Sequence, residues 1–540
     1  MARRCLSLPI ASVVVLAAVA AAQSEPPAGA RSPRGLASAL PAETVVFVET
    51  TDLGGCLDAL RRGLGVTIAE LPPQARGMLS AVAAGVRTWS GESAEDLLAA
   101  LRGAPLALAV VAADGGLFPV ALARLADAEL GARLERRLGA KAAVSWRHGV
   151  LAVAQRPEQL SVLAAARDSG RTLAARADFA RDRPPLPHAG LRYHVDVARL
   201  RGERPPLWQR TRGGQRLLFG PIAQVLDRAR CFDGTLRGTA AGVELDGALD
   251  ASPLGAPASL LLQHGGEART LPPLPSAALG TLSLDRSLLG FLSHLDELLD
   301  GAAAAQVRAS LSIIDTLLGG ASLVGDLLPQ VVEPLTLVAL AQEPAADPPP
   351  RVRLPGFALV AEQRSDGAHQ LLARAARAAF LINTGERLQR GQHPFRLRRD
   401  RIGGAVALVI EPDEWRGEGD PPIEYNLAIT LVATQRHVVL ATTREAAARV
   451  VAALAAGAPA VRVSGDLVEV AGEQLAQVLA QHEDLLALNA VLEEGKTLAE
   501  AKSDLQLVEF VLRRLGRIEL GVVPEANRTR LRVRLTGAVR

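Results

Sequence analysis

A β-branched run opens the part of the chain that has a clear fold pattern. Residues 44–50 read Thr-Val-Val-Phe-Val-Glu-Thr, which is typical of a strand. Asp52 then suits a helix N-cap. Leucines follow at spacings of four, three and four residues, at Leu53, Leu57, Leu60 and Leu64. That spacing predicts a helix with one apolar face.

The same pattern returns in the second half of the chain. Residues 278–284 predict a strand, and Asp285 stands where Asp52 stood, again as a predicted cap. The spacing of four, three and four also recurs, at Leu288, Leu292, Leu295 and Leu299. We therefore expect a duplication, with one copy over residues 36–250 and another over 271–540.

The boundary between the copies is predicted from composition. Residues 251–270 are rich in Ser, Pro, Gly and Ala, which favours a linker. On both sides of it, predicted hairpins mix with helices, and few βαβ alternations occur. This order predicts an α+β fold of two tandem related halves, with mainly antiparallel sheets and helices packed on one face.

Hairpins provide the finer comparison between the halves. Residues 143–146 and 150–154 flank a turn that contains His-Gly, which predicts a hairpin. We match it to a second predicted hairpin, over 395–401 and 405–410. A further strand pair, within 426–442, is then expected to be an addition to the second half.

The first 22 residues have the layout of a bacterial-type signal peptide. A short positive stretch that contains Arg3 and Arg4 precedes an apolar stretch over residues 6–20, and alanines precede Gln23. We expect a signal peptide over 1–22, a linker over 23–35, and a periplasmic, cell-envelope or extracellular protein; a leader retained as an anchor is the alternative. Cys5 precedes the apolar stretch, which argues against a lipid anchor. No other segment reaches about 18 uncharged apolar residues, so no transmembrane span is expected after cleavage.

Composition narrows the classes of partner. The 540 residues are 49% hydrophobic and 22% charged, which is a folding composition. The formal net charge is only +3, without the clustered positive charge of a nucleic-acid-binding protein, so no nucleic-acid partner is expected. Aromatic residues make up 3%, which leaves little stacking surface for sugars or bases.

Two cysteines remain after the predicted cleavage, Cys56 and Cys231. Export makes a disulfide between them one option. Each also lies in an apolar setting, which is typical of a buried free thiol. The sequence leaves both options open.

Familiar chemical motifs are absent from the sequence, among them the P-loop, the G-x-S-x-G elbow, H-E-x-x-H and the EF-hand loop. No catalytic residue, metal or other cofactor is therefore predicted. One weak constellation is His194 with Asp196, which share a face of a predicted strand and could ligate a metal or act as acid and base. The alternative is an exposed strand edge.

A second weak constellation is a basic rim on a predicted hairpin. Its members are Arg396, Arg398, Arg399 and Arg401. Such a rim could contact anionic lipid, lipopolysaccharide or an acidic partner. The alternative is an ordinary solvated hairpin.

The opening motif Leu40-Pro41-Ala42-Glu43-Thr44, followed by a strand, Asp52 and an amphipathic helix, carries a resemblance. It resembles a family of large exported bacterial proteins of unknown function with a Leu-Pro-Ala-Asp/Glu-Thr opening and a duplicated α+β body. The second copy departs from it, with Pro275-Ser276-Ala277 at the corresponding place. The resemblance implies export and the fold class, and no settled activity.

These observations favour a non-catalytic envelope or extracellular module that binds or scaffolds an envelope protein or a lipid. A carrier of an apolar ligand or lipid is one alternative, for which a dry Leu- and Val-lined pocket would be diagnostic. A hydrolase with scattered catalytic residues is the other, for which a cleft with perturbed titratable groups would be diagnostic.

Overall fold

The computed structural model describes residues 35–64, 80, 84, 103–113, 116–139, 142–180, 186–187, 190–202, 206–210, 214–250, 268–342, 350–413, 419–457, 462–525 and 528–537. The predicted signal peptide, residues 23–34 of the predicted first linker and residues 251–267 of the second lie outside these ranges.

The described residues form twenty strands: β1 (Thr44–Thr50), β2 (Leu106–Ala113), β3 (Gly116–Arg124), β4 (Ala143–Arg147), β5 (Val150–Ala154), β6 (Gly190–Asp196), β7 (Cys231–Thr239), β8 (Gly242–Leu249), β9 (Arg269–Thr270), β10 (Ala278–Leu284), β11 (Val331–Leu340), β12 (Gly356–Gln363), β13 (Phe395–Ile402), β14 (Ala405–Pro412), β15 (Ile429–Ala433), β16 (His437–Ala441), β17 (Arg462–Val463), β18 (Asp466–Ala471), β19 (Arg517–Pro524) and β20 (Thr529–Thr536).

Fifteen α-helices occur in the same described ranges: α1 (Leu53–Leu64), α2 (Ala128–Leu138), α3 (Pro157–Asp168), α4 (Ala177–Ala180), α5 (Val197–Arg201), α6 (Leu207–Arg210), α7 (Gly214–Arg228), α8 (Leu288–Ser293), α9 (Leu295–Leu298), α10 (Gly301–Leu317), α11 (Gly367–Gln389), α12 (Arg444–Ala456), α13 (Gly472–Gln481), α14 (Glu483–Glu494) and α15 (Leu498–Leu515). None of the described helices is both long and apolar enough to cross a membrane.

One antiparallel sheet contains eighteen of the described strands. Its order is β4-β5-β3-β2-β1-β6-β7-β8-β20-β19-β18-β10-β11-β12-β16-β15-β14-β13. The two halves meet where β8 pairs with β20 over eight residue pairs, from Thr529↔Leu249 to Thr536↔Gly242. The predicted α+β fold with mainly antiparallel sheets is confirmed, and the halves share one sheet.

The strand order of the first half recurs in the second. Reading outward from the junction, β8-β7-β6-β1-β2-β3-β5-β4 corresponds to β20-β19-β18-β10-β11-β12-β16-β15. The hairpin β15–β16 therefore occupies the position of β4–β5, and β13–β14 is the addition, which corrects our matching of the hairpins. The repeated order supports the expectation of a duplication, which stays a prediction about the origin of the halves.

Side chains of each strand alternate between two faces of the sheet. We call the face that carries Phe47, His194 and Asp233 the front face, and the face that carries Tyr193 and Phe232 the back face; the cross-strand register places each set together.

Helices lie on both faces of the sheet, not on one face as we predicted. In β5, Ala154 joins the front-face core with Leu163 of α3, whereas Leu151 joins a separate back-face core with Leu134 and Leu138 of α2. The second half repeats this with α12 on the front face and α11 on the back face. The strands near both ends of the sheet carry apolar side chains on both faces, so helices must pack on each face to bury them.

Local sequence signals set several boundaries as expected. Strands β1 and β10 have the predicted limits, and His148 and Gly149 adopt positive φ angles of 52° and 74° in the turn between β4 and β5. Asp285 is not the helix cap that we predicted. Ser287 caps α8 by accepting the N–H of Gly290, and Asp285 lies in a buried ion cluster before the helix begins.

Candidate functional site

His194 lies at the centre of a buried polar cluster on the front face. Its strand, β6, runs between β1 and β7, with Phe47 directly opposite on one side and Asp233 on the other. The side chain is fully buried, and Phe179 meets its ring edge-on at 5.0 Å. The alternative of an exposed strand edge, which we considered from the sequence, is therefore wrong.

Three potential ligand residues converge at this point. His194 Nδ1 lies 2.8 Å from Asp233 Oδ1, and Cys231 precedes Asp233 by two residues on the same face of β7. One nitrogen of His194, Sγ of Cys231 and one carboxylate oxygen of Asp233 all lie within 4.8 Å of one another. We did not predict this group from the sequence, because only the register of β6 against β7 brings His194 to the Cys-Phe-Asp segment.

Asp196 shares the front face with His194, as we predicted, but it takes part in a different interaction. Its carboxylate accepts a hydrogen bond of 2.9 Å from Arg176 Nη2 and caps α5 through the N–H of Arg199. Arg176 also binds Asp178 at 2.6 Å. The hydrogen bond from Arg176 holds the pKa of Asp178 well below its usual range, at about 2. Asp196 is thus part of a charged clamp beside the His194 cluster.

The thiol of Cys231 is protonated in its surroundings. Burial raises its pKa well above the usual range, and the carboxylates of Asp233 and Asp250 raise it further. Asp250 also holds the start of β7 by accepting the backbone N–H of Cys231 at 2.8 Å. A nucleophilic cysteine needs the opposite shift.

Cys56 and Cys231 are both buried and free in this structure, so the disulfide that we considered is not formed. Cys56 lies on α1, which packs against the back face, where a Cβ on Gly238 of β7 would meet the backbone of Ala59. Cys231 points to the front face. The sheet therefore separates the two thiols, and burial raises the pKa of Cys56 to about 12.

A second polar surface lies at the junction of the halves, on the front face of β7, β8, β20, β19 and β18. We call it the arginine floor, and its members are Arg237, Glu244, Asp246, Glu469, Arg517, Glu519, Arg530, Arg532 and Arg534. The register places these side chains on one face. Strand β20 contributes the alternating segment Arg-Leu-Arg-Val-Arg over 530–534, which is visible in the sequence but by itself indicates no more than a strand with one charged face.

Ion pairs link the arginine floor across its strands. Glu244 binds Arg237 at 2.5 Å and Arg534 at 3.2 Å. On the other side, Arg517 binds Glu469 at 2.5 Å and Glu519 at 3.5 Å. Although burial alone raises the pKa of Glu244, hydrogen bonds from Arg237 and Arg534 hold it below its usual range. Glu244 is therefore ionised, and its two ion pairs fix the guanidinium groups of Arg237 and Arg534 in place.

Arginines form the outer layer of the floor. Their side chains are between 39% and 55% exposed, whereas those of its carboxylates are between 11% and 30% exposed. Nε of Arg532 is buried without a hydrogen-bond partner. A cavity of about 260 Å³ opens beside Glu244 and Arg534. Solvent on this face thus meets guanidinium groups first.

The predicted basic rim lies on β13, the last strand at one end of the sheet. It is divided between the two faces: Arg396 and Arg398 point to the front and bind Asp413 and Glu411, whereas Arg399 and Arg401 alternate to the back. Charged side chains on a terminal strand also protect it from pairing with other chains. The rim is therefore not one continuous cationic patch.

Comparison of the chain with family models, with curated proteins and with solved structures finds no match.

Proposed function

We propose that this protein is an exported, non-catalytic binding or scaffold module of the cell envelope or extracellular space, and that the arginine floor holds an acidic segment of a partner protein. The observation that carries the proposal is the layering of the floor, in which half-exposed arginines lie above more buried carboxylates. Export rests on the leader in the sequence, which predicts a mature N-terminus at Gln23.

Arginine chemistry favours carboxylates as the ligand. A guanidinium group has five N–H donors in a planar fork, which matches a carboxylate in a bidentate arrangement. In the floor, Arg532 lies 3.7 Å from both Glu244 and Asp246, beyond hydrogen-bond distance. Because each guanidinium group has five donors, the half-exposed arginines of the floor keep donors for a further carboxylate.

The shape of the floor favours a protein segment over a lipid surface. Adjacent strands rotate by about 20–25°, so Arg237 on β7 and Arg517 on β19, three strands apart, differ in direction by about 60–75°. A planar bilayer fits a surface with this twist less well than a narrow ligand does. A flexible acidic polypeptide can follow it.

The two alternative functions gain less support. The cavity beside the floor is lined by the charged Glu244, Glu519 and Arg534 together with apolar residues such as Val243 and Leu535, so it is not the dry Leu- and Val-lined pocket that is diagnostic of an apolar carrier. For a hydrolase, the raised pKa of the Cys231 thiol opposes nucleophilic attack at the buried His194 cluster.

The proposal predicts that arginine removal from β20 weakens binding of an acidic chain. We expect R530Q/R532Q/R534Q to lower the affinity for fluorescein-labelled poly-L-glutamate by about tenfold or more, since a hydrogen bond to a charged group contributes about 1.5–3 kcal/mol and 1.4 kcal/mol is a factor of ten. Fluorescence anisotropy at fixed ionic strength measures this change, and circular dichroism checks the fold.

The matched control is R396Q/R398Q/R399Q on β13, which removes the same number of arginines from the basic rim and should leave the affinity within about twofold. Equal losses in both variants would show that general positive charge drives the binding. The opposing result is binding of the unmodified protein to anionic phospholipid vesicles and not to poly-L-glutamate. That result would identify a lipid as the ligand and overturn the proposal.

A further inference from the structure

The His194 cluster has the composition and placement of a transition-metal site. Cys231 and Asp233 are two residues apart on β7 and so share a face, and His194 is the direct cross-strand neighbour of Asp233. Metal bonds of about 2.0–2.3 Å place tetrahedral ligand atoms about 3.3–3.8 Å apart. The three candidate atoms lie within 4.8 Å of one another, so metal binding would draw them about 1 Å closer together.

The imidazole of His194 is buried with one of its two ring nitrogens unpartnered. His194 is fully buried, and its Nε2 has no hydrogen-bond partner. A buried polar atom without a partner destabilises a fold, so such atoms call for a reason. His194 Nδ1 is the ring nitrogen beside Asp233, so a metal shared by these two side chains takes Nδ1 as its ligand and leaves the remaining proton on Nε2.

Charge balance also favours a divalent cation. Loss of the Cys231 thiol proton to solvent leaves one thiolate and the Asp233 carboxylate, and neutral His194 adds no charge. One divalent ion makes this buried set electrically neutral, which lowers the cost of burying charge.

From these observations we infer that His194, Cys231 and Asp233 bind a divalent transition-metal ion of the Zn²⁺ class. A thiolate with an imidazole selects Zn²⁺ and similar ions over Ca²⁺ or Mg²⁺, which prefer oxygen ligands. The side chain of Asp233 is 20% exposed, which gives the ion a route from the front face. The ion would tie β6 to β7, and with three protein ligands its fourth tetrahedral position would be left to solvent.

Cobalt titration of the full chain tests the inference. After treatment with a chelator, Co²⁺ should bind at one equivalent per chain, with a thiolate-to-cobalt charge-transfer band in the near ultraviolet, and Zn²⁺ should displace it. C231S should remove the band. C56S is the matched control, because Cys56 is an equally buried thiol on the opposite face, and it should keep the full band.

A variant of Asp233 distinguishes loss of metal binding from loss of folding, because this ligand is partly exposed and its replacement should leave the fold intact. D233N should weaken Co²⁺ binding by about tenfold or more while its circular dichroism spectrum stays that of the unmodified chain. The inference is overturned by absence of a saturable one-to-one band in the folded protein, by a band that persists in C231S, or by a band that is lost in C56S.

Discussion

Replacement of Arg286 by Met should lower the free energy of unfolding by about 3–5 kcal/mol, the usual cost of removing one partner of a buried ion pair. Arg286 Nη2 lies 2.5 Å from Asp466 Oδ2, and both side chains are more than 90% buried. Burial lowers the pKa of Arg286 and raises that of Asp466, so each charge depends on the other. The variant leaves the Asp466 carboxylate without its guanidinium partner.

The loss in R286M should depend on pH with a definite sign. Without the guanidinium group, the pKa of Asp466 rises further above its unfolded value, so the folded state binds a proton more tightly than the unfolded state does. Stability of the variant relative to the unmodified protein is then highest at acidic pH and falls as pH rises through the shifted pKa. Chemical denaturation at several pH values measures this trend.

Two further variants distinguish the cost of the unpaired buried Asp466 carboxylate from the cost of losing any arginine. R286M/D466N should regain much of the lost stability, because the asparagine is neutral and its oxygen can still accept the N–H of Asp285. R308M removes an arginine from an exposed pair with Asp296 and should cost at most about 1 kcal/mol. A loss in R286M no larger than that in R308M would contradict the account.

Replacement of Phe47 by Ala should cost about 3–5 kcal/mol, in the range of large core truncations. Phe47 is fully buried in the middle of β1, and its ring meets Phe179 edge-on with centroids 5.7 Å apart. Phe179 in turn contacts His194. The truncation therefore opens a cavity in the core beside the His194 cluster.

F219A is the control for this change, because Phe219 on α7 is 58% exposed and should lose at most about 0.5 kcal/mol. In a double-mutant cycle, F47A and F179A should be less than additive, since the two rings share one contact. Additive losses would show that the rings stabilise the core independently. Urea denaturation followed by circular dichroism provides all four values.

Local patterns predicted the elements better than their assembly. The strand at 44–50 and the turn at His148-Gly149 follow from β-branched residues and from backbone angles that favour glycine. The prediction that Asp285 caps the helix was wrong because Ser287, which directly precedes the helix, is also a good N-cap residue. Short-range sequence signals of this kind do not determine which of two neighbouring polar residues caps the helix.

Prediction of the site would have required knowledge of pairings between residues that are far apart in the sequence. Asp233 and His194 meet across strands 39 residues apart, and Arg534 meets Glu244 across 290 residues. The alternation of arginine and apolar residues over 530–534 does indicate a strand with a charged face. Nothing local in that segment indicates that the face continues onto β8, so the arginine floor could not be predicted from the sequence.

Photo-crosslinking in cells that produce the protein tests whether the arginine floor binds an acidic segment of a partner protein. A photoreactive amino acid in place of Thr536, which lines the cavity beside the arginine floor, should give a discrete adduct with a protein whose cross-linked peptide is rich in Asp and Glu. The same amino acid in place of Arg399, on the rim at β13, should not give that adduct. An adduct with lipid alone at Thr536, no adduct there, or the same adduct from both positions would show that the floor does not bind an acidic protein segment.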